Sequence, residues 1–212
     1  MFHRKESFIL TEFYFVRHGK TFANQQGLKQ GTINSEITYL SDIGKQQAHH
    51  LHDHFDISFA DKIYASPLQR TLDTADYLNA GVDLPIEKDE RLLEISYGKW
   101  DGQSNAELMK TYTEVFDDEL KDVLPSYAVL ADGETFEHVT SRLSEFMEEI
   151  AHKNPNGKFV VVSHGFTVKA AMIVALKQQN DPMSVIEPDN TSVTKIRLKN
   201  NQYYVDYFNR LY

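Results

Sequence analysis

Apolar runs and amphipathic stretches alternate along most of this chain, and the alternation indicates a fold class. Residues 13–16 and 159–162 are continuous apolar runs, which are typical of strands covered on both faces in a parallel sheet. A short run at residues 62–65 predicts another strand. Because the segments between the runs have a helical pattern, we expect an α/β protein with a mainly parallel sheet.

Capping signals mark where two of the helices begin. Ser41 is a suitable N-cap for a helix that ends at about His54. The apolar stripe of this helix consists of Ile43, Ala48, Leu51 and Phe55. Ser66, followed three residues later by Gln69, predicts a capping box at the start of the next helix. Arg70 then lies in the first turn of that helix, close to the end of a strand.

The second half of the chain predicts a long helix and a pair of strands. Asp132 and Gly133 are interpreted as the opening of the helix. One face of it carries Phe136, Val139, Leu143, Phe146 and Ile150. Residues 192–198 and 203–208 alternate in polarity, which predicts two strands joined around the pair Asn200-Asn201.

Composition and charge narrow the class of partner. The 212 residues are 41% hydrophobic and 25% charged, which is ordinary for a globular protein, and we expect one domain. The formal net charge of −9 argues against a nucleic acid or an anionic membrane as partner. The absence of cysteine excludes disulfides and thiolate chemistry. Since there is no signal-peptide pattern and no 18-residue apolar run, we expect a cytoplasmic protein.

Polar side chains follow three of the predicted strands. Arg17 and His18 end the first strand, Ser66 follows the second, and His164 with Gly165 follows the strand at residues 159–162. Because ligands bind at the carboxyl ends of strands in such sheets, we expect these groups to converge. Helix N-termini at residues 68 and 166 should add backbone N–H donors for an anion.

Two histidines, two arginines and an acid, if they converge, would form a site suited to phosphoryl transfer. The guanidinium groups of Arg17 and Arg70 match phosphate oxygens in pairs. One imidazole can attack phosphorus in its neutral form, and the other can act as a protonated clamp. A carboxylic acid must protonate the leaving oxygen, and Glu90 and Glu94 are the available candidates.

Several ordered motifs resemble the histidine phosphatase superfamily, the phosphoglycerate-mutase-like proteins. The motifs are Arg17-His18-Gly19, Ser66-Pro67-Leu68-Gln69-Arg70-Thr71, Glu90-Arg91-Leu92-Leu93-Glu94-Ile95, Trp100-Asp101-Gly102 and Ser163-His164-Gly165. The resemblance implies a three-layer α/β/α sandwich with a mainly parallel central sheet. It also implies that residues 1–212 are one domain, with an insertion at about 103–135 that covers the substrate.

The resemblance further implies a role for each site residue. His18 would be the nucleophile that becomes phosphohistidine, and Glu94 would be the general acid and then the general base. The phosphoryl group would be surrounded by Arg17, Arg70, His164, Asn24 and the backbone N–H of Gly165. Thr21 would line the substrate side of the pocket. Neither a metal nor a cofactor is expected, and the partner would be a small phosphorylated metabolite.

Two other groups of residues have a structural and a functional interpretation. One is a histidine cluster that consists of His49, His50, His52 and His54. His50 and His54 share a helix face, which is possible spacing for metal ligands. A solvated helix face is favoured, because no acid is placed as in a zinc-protease helix. The aromatic residues Tyr112, Phe116 and Tyr127 either pack in the core or roof the site.

The acidity of the insertion favours hydrolysis over transfer. Between residues 101 and 136 there are nine acidic residues and two basic ones. In the resembling family, mutases must bind a doubly phosphorylated sugar acid, and so little positive charge suits that task poorly. We therefore expect a metal-independent phosphatase of small phosphomonoesters. The alternatives are a cofactor-dependent phosphoglycerate mutase and a non-catalytic phosphate-binding regulator.

Overall fold

A computed structural model describes residues 10–212, in which six strands form one mixed sheet. The strands are β1 (Leu10–Arg17), β2 (Lys62–Ala65), β3 (Ile86–Lys88), β4 (Lys158–Ser163), β5 (Val193–Lys199) and β6 (Gln202–Arg210). Their order across the sheet is β3-β2-β4-β1-β5-β6. The first four strands in this order are parallel to one another, whereas β5 and β6 are antiparallel additions at one edge. The predicted α/β class with a mainly parallel sheet is confirmed.

Helices cover both faces of the sheet. They are α1 (Phe22–Gln25), α2 (Asp42–His54), α3 (Gln69–Asn79), α4 (Asn105–Thr111), α5 (Tyr127–Ala131), α6 (Phe136–Lys153) and α7 (Gly165–Leu176). The larger apolar cluster packs α6 and α7 on one face of the sheet, and the smaller one packs α2 and α3 on the other. This arrangement is the expected three-layer sandwich.

Helix α2 begins as predicted but buries a different stripe. Ser41 accepts a hydrogen bond from the Gly44 N–H at 3.2 Å, which confirms the N-cap. Ile43, however, is 46% exposed, so its place in the stripe is wrong. Gly44 is buried instead. Its backbone lies so close to that of Lys20 that an added Cβ would be 2.0 Å from the Lys20 carbonyl oxygen. The helix therefore packs against the backbone that follows β1.

The start of α3 differs from the predicted capping box. The helix begins two residues later, with Leu68 as an N-cap that has no side-chain hydrogen bond. Asn34 supplies the missing acceptor, since its Oδ1 receives the Gln69 N–H at 2.9 Å. Ser66 instead bonds to His164. The local signal was misread because a residue 35 positions away caps this helix.

Helix α6 is capped by Thr135, and Asp132 with Gly133 comes before it. Thr135 accepts a hydrogen bond from the His138 N–H, whereas Asp132 has φ 55° and ends α5. The predicted opening at Asp132 and Gly133 is therefore wrong by a few residues. The predicted apolar face is confirmed, since all of its five members are buried.

The end of the chain forms the predicted hairpin. Strands β5 and β6 pair in antiparallel fashion, and the two residues between them, Asn200 and Asn201, have φ 49° and 60°. Two successive positive φ angles are the geometry of a type I′ turn, which favours asparagine. Among residues 10–212 no helix combines the length and apolar content needed to cross a membrane. The expectation about a signal peptide lies largely on residues 1–9, outside the described part.

Candidate active site

Parallel pairing brings the three polar strand ends together. Arg17 of β1 is in register with Ser163 of β4, and Ala65 of β2 is in register with Val162. The N–H of His18 continues the ladder by donating to the Ser163 carbonyl at 2.9 Å. The residues that follow these strands therefore meet at one edge of the sheet, as the sequence predicted.

His18 is held in a single tautomer. Its Nδ1 lies 2.7 Å from the Gly19 carbonyl oxygen, which can only accept, so Nδ1 carries the proton and Nε2 has a free lone pair. The side chain is 1% exposed. Burial, followed by the charges of Arg70 and Arg17, holds the pKa of His18 well below its usual value. The imidazole is therefore neutral near pH 7.

His164 is also neutral, which corrects the expectation of a protonated clamp. Arg70 donates from Nε to His164 Nδ1 at 3.1 Å, so this nitrogen is an acceptor. The opposite nitrogen, Nε2, lies 2.7 Å from Ser66 Oγ and donates to it. Burial and the Arg70 charge lower the pKa of His164 well below its usual value. Its ring centroid is 5.3 Å from that of His18.

Arg70 is buried and keeps part of its donor capacity. Besides His164, its guanidinium donates to the carbonyl oxygens of Ile33 at 3.0 Å and Gly31 at 2.8 Å. A guanidinium has five N–H groups, so these three bonds leave others for a ligand. Burial lowers the pKa of Arg70 to about 10, and the group remains charged at neutral pH.

Arg17 has an unused donor inside the site. Its Nη1 donates to the Pro188 carbonyl and lies 3.5 Å from Glu187 Oε2. Its Nε is buried without a hydrogen-bond partner. The guanidinium packs closely on the start of α7, since a Cβ at Gly165 would lie 2.9 Å from Arg17 Cζ. An orphaned buried donor of this kind indicates a place for an anion.

Glu94 occupies the N-terminus of α7, where an anionic ligand was expected. Its Oε2 accepts from the Phe166 N–H at 3.3 Å, and its Oε1 accepts from the Thr167 N–H at 3.2 Å. Burial, followed by the charge of Glu187, raises the pKa of Glu94 to about 7 despite nearby arginines. The rival acid, Glu90, is exposed. The structure thus places Glu94, not Glu90, beside the other site residues.

Asn24 and Thr21 interact with each other at the start of α1. The Oδ1 of Asn24 accepts from the Thr21 N–H at 3.1 Å, and the Thr21 hydroxyl lies 2.8 Å from Gln30 Oε1. Thr21 is fully buried and orders this loop, and its position on the substrate side stays a prediction. Asn24 does line the cavity, and its Nδ2 group can donate there.

The histidine cluster on α2 and the three aromatic residues have structural roles and do not form part of the site. His49, His50 and His54 are exposed, and the ring centroids of the last two are 4.1 Å apart, so the solvated face is confirmed. Tyr112, Phe116 and Tyr127 pack around Trp100 with centroids 4.9 to 6.0 Å away. They are therefore part of the core, and none lines the cavity described next.

A cavity of about 360 Å³ opens beside Arg17, Asn24 and Glu94. Its walls also contain five functional candidates that the sequence analysis missed: Lys29, Tyr97, Asp122, Lys169 and Glu187. One of these had a visible signal, since Lys169 is the one charged residue in the otherwise apolar helix α7. The others lie in loops, where no pattern distinguishes them from solvated residues.

The fold and these residues agree with a comparison of the sequence. A family model described as the histidine phosphatase superfamily (branch 1) matches residues 13–210. The chain belongs to this superfamily. The resemblance of the five motifs is therefore confirmed.

Similar proteins include phosphatases with named substrates. Phosphoserine phosphatase 1 of Hydrogenobacter thermophilus is 30% identical over 190 residues, which cover 90% of this chain and 88% of that protein. Bacillus stearothermophilus YhfR has a similar structure, with a TM-score of 0.83, 28% identity and coverage of 95% and 98%. A phosphoserine phosphatase from Entamoeba histolytica, solved with 3-phosphoglyceric acid, has a TM-score of 0.77, 26% identity and coverage of 95% and 98%.

Proposed function

We propose that this histidine phosphatase hydrolyses small phosphomonoesters in two steps, through a phosphohistidine at His18 and without a metal. The observation that carries the proposal is the hydrogen bond from His18 Nδ1 to the Gly19 carbonyl. It directs the proton to one side of the ring and leaves the Nε2 lone pair for attack on phosphorus. Family membership and the named phosphatase relatives support the same reaction class.

In the first step, Nε2 of His18 attacks the phosphorus atom and the ester oxygen leaves. The bond from phosphorus to the ester oxygen breaks as the bond from phosphorus to nitrogen forms. Glu94 in its protonated form gives its proton to the leaving oxygen, so the product is a neutral alcohol. A pKa of about 7 makes that proton available at neutral pH.

In the second step, a water molecule attacks the phosphohistidine. Glu94, which is now a carboxylate, accepts a proton from the water as its oxygen bonds to phosphorus. The bond from phosphorus to nitrogen breaks, and inorganic phosphate leaves. The cycle ends with His18 neutral and Glu94 protonated, as it began.

The two arginines stabilise the negative charge on the phosphoryl oxygens. The unpartnered Nε of Arg17 and the remaining N–H groups of Arg70 are already fixed by packing and by hydrogen bonds to the protein. Such preorganised donors stabilise a transition state more than donors that must reorient. Asn24 adds an amide donor. His164 acts through Arg70, whose guanidinium it positions.

The test is release of phosphate from p-nitrophenyl phosphate by the purified protein in the presence of EDTA. We expect turnover by the wild type, loss of turnover in His18→Ala, and acid-labile phosphate on the wild type after brief mixing with substrate. His49→Ala is the matched control, because it removes an exposed histidine on α2. Retained activity in His18→Ala, or dependence on an added metal, would refute the mechanism. Tight binding of phosphate esters without turnover would indicate a regulator instead.

The isomerisation of phosphoglycerate by a mutase is the second candidate reaction. The cavity wall supports it better than the acidic insertion suggested, since two buried lysines face the same space as Arg17. A mutase returns the phosphoryl group of phosphohistidine to another substrate hydroxyl before water can attack. Isomerisation of phosphoglycerate that is faster than its hydrolysis would favour this reaction over the phosphatase.

A further inference from the structure

The cavity contains a buried group of charges that the phosphoryl chemistry does not use. Lys29 Nζ lies 3.1 Å from Asp122 Oδ1, and Lys169 Nζ lies 3.5 Å from Asp122 Oδ2. The side chains of the two lysines are 10% and 1% exposed. All three residues line the same space as Arg17, Asn24 and Glu94. We call Lys29, Asp122 and Lys169 the charged triad.

The charged triad has one more positive charge than negative. Burial raises the pKa of Asp122, but the charges of Lys29 and Lys169 outweigh this effect and the net shift is downward. The carboxylate is therefore ionised and balances one ammonium group. A buried charge without a counterion is costly, so the second ammonium creates a place where an anion is stabilised.

Both lysines retain donors for such an anion. An ammonium group has three N–H donors, and the triad uses one from each lysine. Their other close neighbours are aromatic faces: Lys29 Nζ is 4.5 Å from the Tyr97 ring centroid, and Lys169 Nζ is 5.5 Å from that of Phe166. Aromatic faces stabilise a cation but do not replace an anionic partner.

The position of Lys169 relates the triad to the phosphoryl site. Lys169 follows Gly165 by four residues on α7, so the two share a helix face and are separated by about 6 Å along the axis. Gly165 packs against Arg17. The triad lines the same cavity as Glu94, the proposed donor of a proton to the leaving oxygen, so it lies on the side toward which the leaving group of a substrate extends.

We propose that the charged triad is the subsite for a carboxylate on the leaving group, which makes the substrate a phosphate ester of a small hydroxy acid or amino acid. This inference rests on the phosphatase function proposed above. Asp122 comes from the segment at 103–135, so this insertion selects the substrate by orienting two lysines that belong to other parts of the chain. A phosphate ester without an acid group leaves the second ammonium unpaired.

A matched pair of ligands tests the subsite without relying on turnover. O-phosphoserine and O-phosphoethanolamine differ only in the carboxylate. Their dissociation constants are measured by titration calorimetry on His18→Ala, which still has the charged triad. We expect phosphoserine to bind at least roughly tenfold more tightly, because a desolvated ion pair is added. Equal dissociation constants for the two ligands would overturn the subsite.

Substitutions in the triad give changes of opposite sign. Lys29→Met and Lys169→Met, each combined with His18→Ala, should abolish the preference for phosphoserine. Each leaves Asp122 paired with one lysine, so no carboxylate is orphaned. Asp122→Asn should increase the preference, because the ligand no longer competes with a protein carboxylate. Lys110→Met is the control, since Lys110 is an exposed lysine of the same insertion.

The outcomes separate this inference from the proposed function. A preference that persists in both lysine variants, or a decrease in Asp122→Asn, would show that the triad only stabilises the fold. Thermal melting of each variant checks that it is folded. Wild-type protein that does not hydrolyse p-nitrophenyl phosphate but shows the triad-dependent preference would refute the phosphatase and keep the subsite. Hydrolysis of p-nitrophenyl phosphate without a preference for phosphoserine would refute the subsite and keep the phosphatase.

Discussion

The carboxylate of Glu94 accepts a hydrogen bond from the Thr167 N–H at 3.2 Å and so caps the helix that follows β4. His164, the formal N-cap of that helix, makes no side-chain cap because its ring bonds to Arg70 and Ser66. The proposed general acid therefore also caps α7. Its position is fixed by backbone N–H groups, and its pKa is raised mainly by burial.

Substitution of Glu94 should affect catalysis and stability differently. Glu94→Gln keeps an acceptor for the cap but cannot transfer a proton, so kcat/KM for an alkyl phosphate should fall by about 10²- to 10⁴-fold. p-Nitrophenyl phosphate should be less affected, because its leaving group is stable as an anion. Glu94→Ala should in addition cost about 1 kcal/mol of unfolding free energy through the lost cap. Steady-state kinetics with both substrates and denaturant titrations measure these effects. An equal loss for both substrates would contradict the role of Glu94 as an acid.

The pH profile should report the ionisation of Glu94. Its pKa of about 7 predicts that kcat/KM for an alkyl phosphate decreases as the pH rises through 7, because the first step needs the protonated form. The negative charge of Glu187 helps to raise this pKa. Glu187→Gln should therefore move the alkaline limb to lower pH. Glu145→Gln, at an exposed site, is the control. An unshifted limb in Glu187→Gln would exclude this coupling.

Gly165→Ala should displace Arg17, the arginine that we propose binds the phosphoryl group. The added Cβ would lie 2.3 Å from Glu187 Oε2 and 2.9 Å from Arg17 Cζ, and one of these groups must move. If Arg17 binds the phosphoryl oxygens as proposed, a shift of this size should lower kcat/KM by roughly 10²-fold. The double variant Gly165→Ala with Glu187→Ala should recover part of the activity, because one clash is removed. Wild-type kinetics in Gly165→Ala would show that Arg17 does not depend on this contact.

Ser66→Ala should destabilise the protein and disturb the histidine pair. The substitution leaves the buried Nε2 donor of His164 without its acceptor, which costs about 1–3 kcal/mol. Rotation of the ring would also disturb the bond from Arg70, so kcat should decrease. Calorimetric melting and kinetics measure both effects, with the exposed Ser126→Ala as the control. If the capping box predicted from the sequence were correct, the loss would instead appear at the start of α3 and leave His164 unaffected.

The sequence by itself determined the fold class and most of the residues that we propose as catalytic. Continuous apolar runs specify buried parallel strands, and polar residues at their carboxyl ends must meet at one edge of the sheet. Arg17, His18 and His164 could therefore be proposed because they end or directly follow strands. Arg70 could be proposed from its position in the first helical turn after a strand. The choice of Glu94 over Glu90 required the resemblance of their motif, since an irregular loop does not reveal where it points.

Tertiary structure alone decided the protonation of the site and the chemistry of its cavity. The neutral state of His164 follows from its burial and from Arg70, 94 residues away, and could not be read from neighbouring residues. The charges around the cavity were hidden for the same reason: the acidic composition of residues 103–135 was visible, but Lys29 and Lys169, which pair with Asp122, come from distant segments. Local patterns specify strands and caps, whereas pKa values and binding charges depend on contacts that only the folded chain brings together.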